Sequence, residues 1–248
     1  LQLHLHRPLV EAVRFDGHRH AGRVAHRHQS RGKQVRDGHV LVNGLPVRNP
    51  RSLVGVSVPI AIAGPAVLRG EAKLAAALAA FPVEVNGKVA LDAGAAAGGF
   101  TRVLLAGGAR RVYAVDAGHG QLLGSLRQDS RVVNLESTNL GQLDHALVPE
   151  PVQVVTLDLS YLSLARAVPQ LRTLDLAPRA DLIALVKPMF ELGLDHAPSE
   201  PSLLDRALQQ ARNGITHAGW DVRAGIPSPV TGAKGAHEWL VWARLPAP

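Results

Sequence analysis

Three patterns of apolar and polar positions follow one another along the 248-residue chain. Between Phe15 and Val35 apolar residues are sparse, and neither a helical nor a strand period holds. Residues 1–35 therefore read as a poorly ordered leader. Residues 36–62 change character. A strand-like VLV is followed by Asn43-Gly44, the dipeptide favoured in tight hairpin turns. A second strand-like stretch, VGVSVPIAIAG, spans 54–64 and runs into a break at Gly64-Pro65. From residue 70 the pattern alternates. AKLAAALAAF (72–81) is helical by composition. Apolar strand-like runs then recur at 88–92, 111–116, 131–136, 152–158 and 181–187, separated by helical stretches. Near-continuous apolar strands interleaved with helices predict an α/β fold with a parallel sheet covered on both faces. Two late runs, WDVRAGI (220–226) and HEWLVWARL (237–245), predict an antiparallel pair at one end of that sheet.

Composition narrows the class. Apolar residues make up 46% of the chain, enough for a core, so global disorder is excluded. No uncharged apolar run reaches the ~18 residues a membrane span needs, and the first residues lack the pattern of a signal peptide. The absence of cysteine excludes disulfides, thiolate zinc sites and a cysteine nucleophile. These features predict a cytoplasmic protein that is not inserted in a membrane. The charge is lopsided: residues 1–62 carry 10 Lys+Arg against 3 Asp+Glu, whereas 63–248 carry 17 of each. The whole excess of +7 thus sits in the first quarter, as an electrostatic handle for a polyanion such as nucleic acid would. The plainer reading is a basic tail that keeps the chain in solution. His18, His20, His26 and His28 fall in the same region. Without cysteines or a carboxylate cluster they are weak metal ligands, and no metal is expected.

Chemistry is expected along one rim. In an open parallel sheet, ligands bind beyond the carboxyl ends of the strands, and four of the predicted strands end on Asp92, Asp116, Asp158 and Lys187. The turn after the first strand reads LDAGAAAGGF, in which Gly94, Gly98 and Gly99 let the backbone approach a ligand and open a helix. The spacing is not that of a dinucleotide fingerprint, and no phosphate-binding lysine follows. Asp116, 22 residues after Gly94, stands where a carboxylate accepts bonds from ribose hydroxyls. S-adenosyl-L-methionine suits such a site: it has an adenosine to hold, no pyrophosphate to cradle, and an already activated methyl. Transfer then needs an aligned nucleophile and one managed proton. Lys187, held extended by Pro188, is the candidate proton acceptor. Lys73 supplies a neighbouring like charge, which lowers a lysine pKa, while Asp158 and Glu238 orient the two amines. Taken singly, Lys187 reads more readily as a snorkelling rim lysine and Asp158 as a helix N-cap before SYLSL.

The stretches RGEAKLAAALAAF, VALDAGAAAGGFTRVLLAGGARRVYAVDAGHGQLLGSLRQDSRV, ESTNL, TLDLSYLSL, LVKPMFELG and SPVTGAKGAHEWL run in order from about residue 69 to 242. Together they resemble the TlyA-type family, also called haemolysin A. The resemblance implies a Rossmann-like class I methyltransferase domain of FtsJ type, mostly parallel with an antiparallel last strand. It implies a small, incomplete S4-like RNA-binding module ahead of it, to which RDGHVLVNGLPV is similar. The implied division is 1–62 for the basic module, 63–70 for a linker and 71–248 for the methyltransferase. By motif, the family's Lys-Asp-Lys-Glu tetrad falls on Lys73, Asp158, Lys187 and Glu238. Its cofactor positions fall on Asp92, Gly94, Gly98, Gly99, Phe100, Asp116 and Asn139. The implied activity is 2′-O-methylation of cytidine ribose in ribosomal RNA of one or both subunits, with S-adenosyl-L-methionine as cofactor and ribosomal RNA or ribosomal subunits as partner.

The chain departs from the family at Leu68, where serine is usual, at Ala96-Ala97 (Ser-Thr), at Met189 (glutamine) and at Ala236 (asparagine). None of these is a tetrad member. Residues 1–33 also lack the two basic amphipathic helices of an S4-like module, the pattern expected if that segment is read out of frame or mis-started. Three other classes remain open on sequence grounds: a non-catalytic RNA-binding or ribosome-assembly factor, a membrane-lytic protein, which the absence of a span or a strongly amphipathic basic helix disfavours, and a nicotinamide dehydrogenase, which the glycine spacing disfavours.

Overall fold

The computed structural model describes residues 12–13, 35–36, 38–43, 45–49, 51–55, 58–62 and 68–247. The chain divides into two compact units, residues 1–66 with 123–125, and residues 67–122 with 126–248.

In the smaller unit, β1 (Ala12–Val13) belongs to a different sheet from β2 (Val40–Val42) and β3 (Leu45–Val47). β2 and β3 form the expected hairpin, with Val42 opposite Leu45 and a turn at Asn43. Asn43 takes a φ of 51°, a left-handed conformation that asparagine tolerates. The apolar stretch 54–64 is not one strand. β4 (Val54–Gly55) pairs with β1, and β5 (Ile60–Ile62) pairs with the free side of β2. The Val58 N–H donates to the Gly55 carbonyl, and Pro59 has no N–H to continue a ladder. The expected disorder of residues 1–35, the histidines at 18, 20, 26 and 28, and the missing S4-like helices lie outside the described residues, apart from Ala12, Val13 and Val35.

The larger unit opens with α1 (Arg69–Ala80), which begins inside the stretch expected as linker. Its Lys73, Leu74 and Ala77 are buried. There follow β6 (Val89–Ala93), α2 (Gly99–Ala106), β7 (Arg111–Asp116), a short α3 (Gly124–Arg127), whose first two residues are counted with the smaller unit, and β8 (Val132–Glu136). Next come β9 (Val152–Leu157), α4 (Leu164–Ala167), β10 (Leu176–Val186) and α5 (Pro188–Leu192). The chain closes with α6 (Pro201–His217), β11 (Asp221–Pro227) and β12 (Trp239–Arg244). Each strand-like run of the sequence has become a strand.

The seven strands form one sheet in the order β11-β12-β10-β9-β6-β7-β8. The pairings among β10, β9, β6, β7 and β8 are parallel. β12 is antiparallel to both β10 and β11, so the last strand alone reverses the sheet. All five residues of β6 are buried, as a central strand with helices on both faces requires. Leu91, Leu157, Leu182, Ile183 and Leu240 fill the core from neighbouring strands. α6 buries Ala207, Ala211 and Ile215 at four-residue intervals, one stripe of a helix. From β6 the chain builds outward through β7 and β8, then returns to add β9 and β10 on the other side. The strand order therefore reverses between β6 and β9, and the crevice at their carboxyl ends is the topological place for a ligand. Among the described residues no helix is long and apolar enough to cross a membrane.

Candidate active site

The loop after β6 is shaped by close backbone approach. Gly94 has a φ of 87°, and a Cβ there would collide with the carbonyl oxygen of Asp158. The first turn of this loop and the end of β9 thus touch main chain to main chain. Gly98, with a φ of 94°, is hemmed in by Leu122 and Leu126. Gly99 serves packing instead: its missing Cβ would lie 3.0 Å from Gly70 Cα, which lets α2 press on α1. Ala96 stands in the left-handed region at φ 44°.

Asp116, at the end of β7, ties this loop down. Its Oδ2 accepts the Ala96 N–H (2.8 Å) and its Oδ1 the Gly118 N–H (2.7 Å). Each carboxylate oxygen carries further acceptor capacity. A cavity of about 200 Å³ opens here, lined by Gly94, Ala96, Asp116, Leu140, Leu159 and Tyr161 among others. It lies over the carboxyl ends of β6, β7 and β9.

Two amine–carboxylate pairs flank a second cavity. Lys73 Nζ on α1 lies 2.5 Å from Glu238 Oε2, just before β12. Both residues are only 7% exposed. Arg69, one turn earlier on α1, donates to the carbonyls of Thr231 (2.5 Å) and Gly232 (3.0 Å) and so holds the loop that delivers Glu238. Lys187 Nζ, between β10 and α5, lies 2.6 Å from Asp158 Oδ1 and donates to Ser160 Oγ (2.9 Å). This pair is more open, with side chains 15% and 22% exposed. Lys73, Glu238, Lys187 and Asp158 all line one cavity of about 410 Å³. Gly94, Ala96, Asp158 and Ser160 border both cavities, so the two adjoin.

The structure therefore gathers the four expected catalytic residues. The N-cap reading of Asp158 is replaced by its ion pair, since Ser163 occupies the N-cap position of α4. Of the expected cofactor positions, Gly94 and Asp116 face the smaller cavity. Asp92 does not: it is fully buried, accepting from Thr101 Oγ1 (2.6 Å) and Thr156 Oγ1 (3.0 Å), and burial lifts its pKa to about 6. Phe100 is buried in α2. The Asn139 N–H donates to Gln142 Oε1 (2.7 Å), and its neighbours Thr138 and Leu140 line the cavity in its place. The sequence reading missed Arg69, Ser160, Tyr161 and His237, all cavity-lining. Ser160 and Tyr161 lie in TLDLSYLSL and Arg69 in RGEAKL, so motif membership was the available signal. Among the departures, Ala96, Met189 and Ala236 all line the larger cavity. No group of three or more metal-ligating side chains occurs among the described residues.

The profile of the FtsJ-like methyltransferase family matches residues 66–245. The chain is 37% identical over 231 residues to the 16S/23S rRNA (cytidine-2′-O)-methyltransferase TlyA of Mycobacterium tuberculosis, covering 89% of this chain and 85% of that one. It is 30% identical to the 23S rRNA (cytidine-2′-O)-methyltransferase TlyA of Campylobacter jejuni, over 64% of this chain and 63% of the other. A solved structure described as a hemolysin from Streptococcus thermophilus superposes with a TM-score of 0.69 at 30% identity, covering 88% of this chain and 83% of that one. A parallel sheet with one reversed last strand, a glycine loop at its switch point and these matches lead to one conclusion: the chain belongs to the FtsJ-like methyltransferase family, in its TlyA-type branch.

Proposed function

We propose that this protein methylates the 2′-oxygen of cytidine ribose in ribosomal RNA, using S-adenosyl-L-methionine, with Lys187 as the residue that receives the hydroxyl proton. The observation that carries the reading is the convergence of Lys73–Glu238 and Lys187–Asp158 on one cavity that adjoins the Gly94 loop.

The residues of the smaller cavity fit the cofactor. Asp116 retains lone pairs for ribose hydroxyls while anchoring Ala96, Leu140, Leu159 and Tyr161 offer apolar and aromatic walls to an adenine, and Gly94 keeps the backbone low. When bound, the cofactor supplies an electrophilic methyl on a sulfonium sulfur. The larger cavity positions the ribose hydroxyl against that methyl, which removes most of the entropic cost of the encounter. In its neutral form Lys187 Nζ accepts the 2′-hydroxyl proton as the carbon–oxygen bond forms. Asp158 and Ser160 hold the resulting ammonium through the contacts already described. Lys73 and Glu238 neutralise each other and form the opposite wall. The products are the methylated ribose, the demethylated cofactor and one proton, passed to solvent from Lys187.

Residues 1–62, with all of the chain's excess positive charge, supply RNA affinity as an S4-like module, ahead of a catalytic domain whose first helix begins at Arg69. Such binding weakens steeply with salt as released counterions are restored. The test is mapping of 2′-O-methyl groups on ribosomal RNA from cells with and without the gene. Cytidine marks lost with the gene, and restored by the wild type but not by Lys187→Ala, are expected. Unchanged marks would refute the reading.

A further inference from the structure

A second tie joins the two segments that carry Asp158 and Lys187. Glu191 lies one helical turn after Lys187, and its backbone N–H donates to the Lys187 carbonyl (3.2 Å). Its Oε1 accepts the backbone N–H of Leu164 (2.9 Å), the first residue of α4. Ser163, in the N-cap position, makes no side-chain cap bond. A carboxyl from another segment thus satisfies the N–H of the first helical residue, a helix-end donor with no partner inside the helix. Glu191 is 4% exposed, and its Oε2 is buried without a hydrogen-bond partner.

The consequence is a closed ring. On one side Lys187 Nζ grips Asp158 and Ser160; on the other Glu191 grips Leu164, four residues beyond Ser160. The two crosslinks join the same two short segments, 158–164 and 187–191. We infer that Glu191 is a positioning residue for methyl transfer: by holding Leu164 it sets the place at which Asp158 and Ser160 meet the Lys187 amine. This rests on the function proposed above. The role needs an acceptor oxygen and not a charge. Burial raises the carboxyl pKa to about 7, so its neutral form is already populated near neutral pH, and glutamine is a close mimic.

Two full-length variants test this. Glu191→Gln keeps the acceptor; Glu191→Met keeps the bulk and loses it. Methyl transfer to ribosomal RNA gives kcat and KM, and NMR titration of the lysine side chains gives the Lys187 pKa. Glu191→Met is expected to lower kcat tenfold or more, to leave KM for the cofactor within twofold, and to move the Lys187 pKa by half a unit or more. Glu191→Gln is expected to restore kcat to within threefold and the pKa to its wild-type value. A methionine variant with wild-type kcat and Lys187 pKa overturns the inference. So does an equal loss in both variants, or a methionine variant that fails to fold, which would mark a general structural role. A wild type that transfers no methyl to RNA sinks the proposed function; a Lys187 pKa that still moves in Glu191→Met then shows that Glu191 sets the Lys187–Asp158 contact, and one that stays put overturns that as well.

Discussion

Gly94 and Asp158 meet main chain to main chain: the space a Cβ on Gly94 would fill is taken by the carbonyl oxygen of Asp158. The residue that opens the proposed cofactor loop is thereby in contact with a residue of the proposed catalytic group. Gly94→Ala must either push the end of β9 away or abandon its φ of 87°. Strain of this kind costs about 1–3 kcal/mol. The variant is expected to melt earlier and to bind S-adenosyl-L-methionine at least tenfold more weakly in calorimetry, with Lys187 activity lost alongside. Unaltered affinity would separate the loop from the catalytic pair.

The two ion pairs differ in burial and should differ in what their loss does. Removing Lys73 leaves Glu238 buried and unpaired, a loss that typically costs ~3–5 kcal/mol. Lys73→Met is therefore expected to lower stability in urea by that order. The double variant Lys73→Met/Glu238→Gln should recover most of it, because no lone charge remains. Lys187 and Asp158 are nearer solvent, so Lys187→Met should cost ~1 kcal/mol or less, in the range of exposed pairs. Equal destabilisation by the two lysine variants would contradict the assignment of one pair to architecture and the other to chemistry.

Much of this site was legible in the sequence because parallel strands announce themselves. β6, β7, β9 and the second half of β10 are near-continuous apolar runs, and Asp92, Asp116, Asp158 and Lys187 stand at or within one residue of their carboxyl ends. Lys73 and Glu238 came from motif order, since 165 positions separate them and no local pattern links them. The same distance effect hid Arg69, whose partners lie 162 and 163 residues away, and Glu191, whose partner lies 27 away. Asp92 looked like a rim group for the opposite reason. A strand-end aspartate normally faces the ligand, but the hydroxyls of Thr101 and Thr156 retain this one in the core. The apolar run 54–64 misled because apolar content does not show that Val54–Gly55 and Ile60–Ile62 pair with different strands, in separate sheets.

Two buried acids give the fold a definite pH response. Burial raises Asp92 from 3.8 to about 6 and Glu191 from 4.5 to about 7. Between the unfolded and folded values the native state holds protons that the unfolded chain has released. Their contribution to stability is full below about pH 4 and is lost as pH rises to 7. For Glu191 the change is on the order of 3 kcal/mol. Urea midpoints measured from pH 5 to 8 should fall more steeply for the wild type than for Glu191→Gln, which should be the more stable of the two at pH 8. Parallel curves would show that Glu191 is not held in this environment.

Helix α1 lacks the cap its sequence position invites. Leu68 occupies the N-cap, and Glu71 three residues on already accepts the Leu68 N–H (3.0 Å), one half of a capping box. Leu68→Ser supplies the missing oxygen and should stabilise the protein by ~1 kcal/mol, read as a higher melting temperature with unchanged cofactor affinity. A lower melting temperature would mean that the leucine side chain contributes more by packing than the cap returns.

In the proposed function Lys187 manages the proton of methyl transfer while taking little part in holding the cofactor. Lys187→Met with intact ribosomal RNA and labelled S-adenosyl-L-methionine tests it in one assay series. The cofactor Kd is expected to stay within threefold of wild type and the transfer rate to fall by ~10²-fold or more, the scale of a lost acid–base group. A variant that binds the cofactor normally and still transfers methyl at the wild-type rate would contradict it.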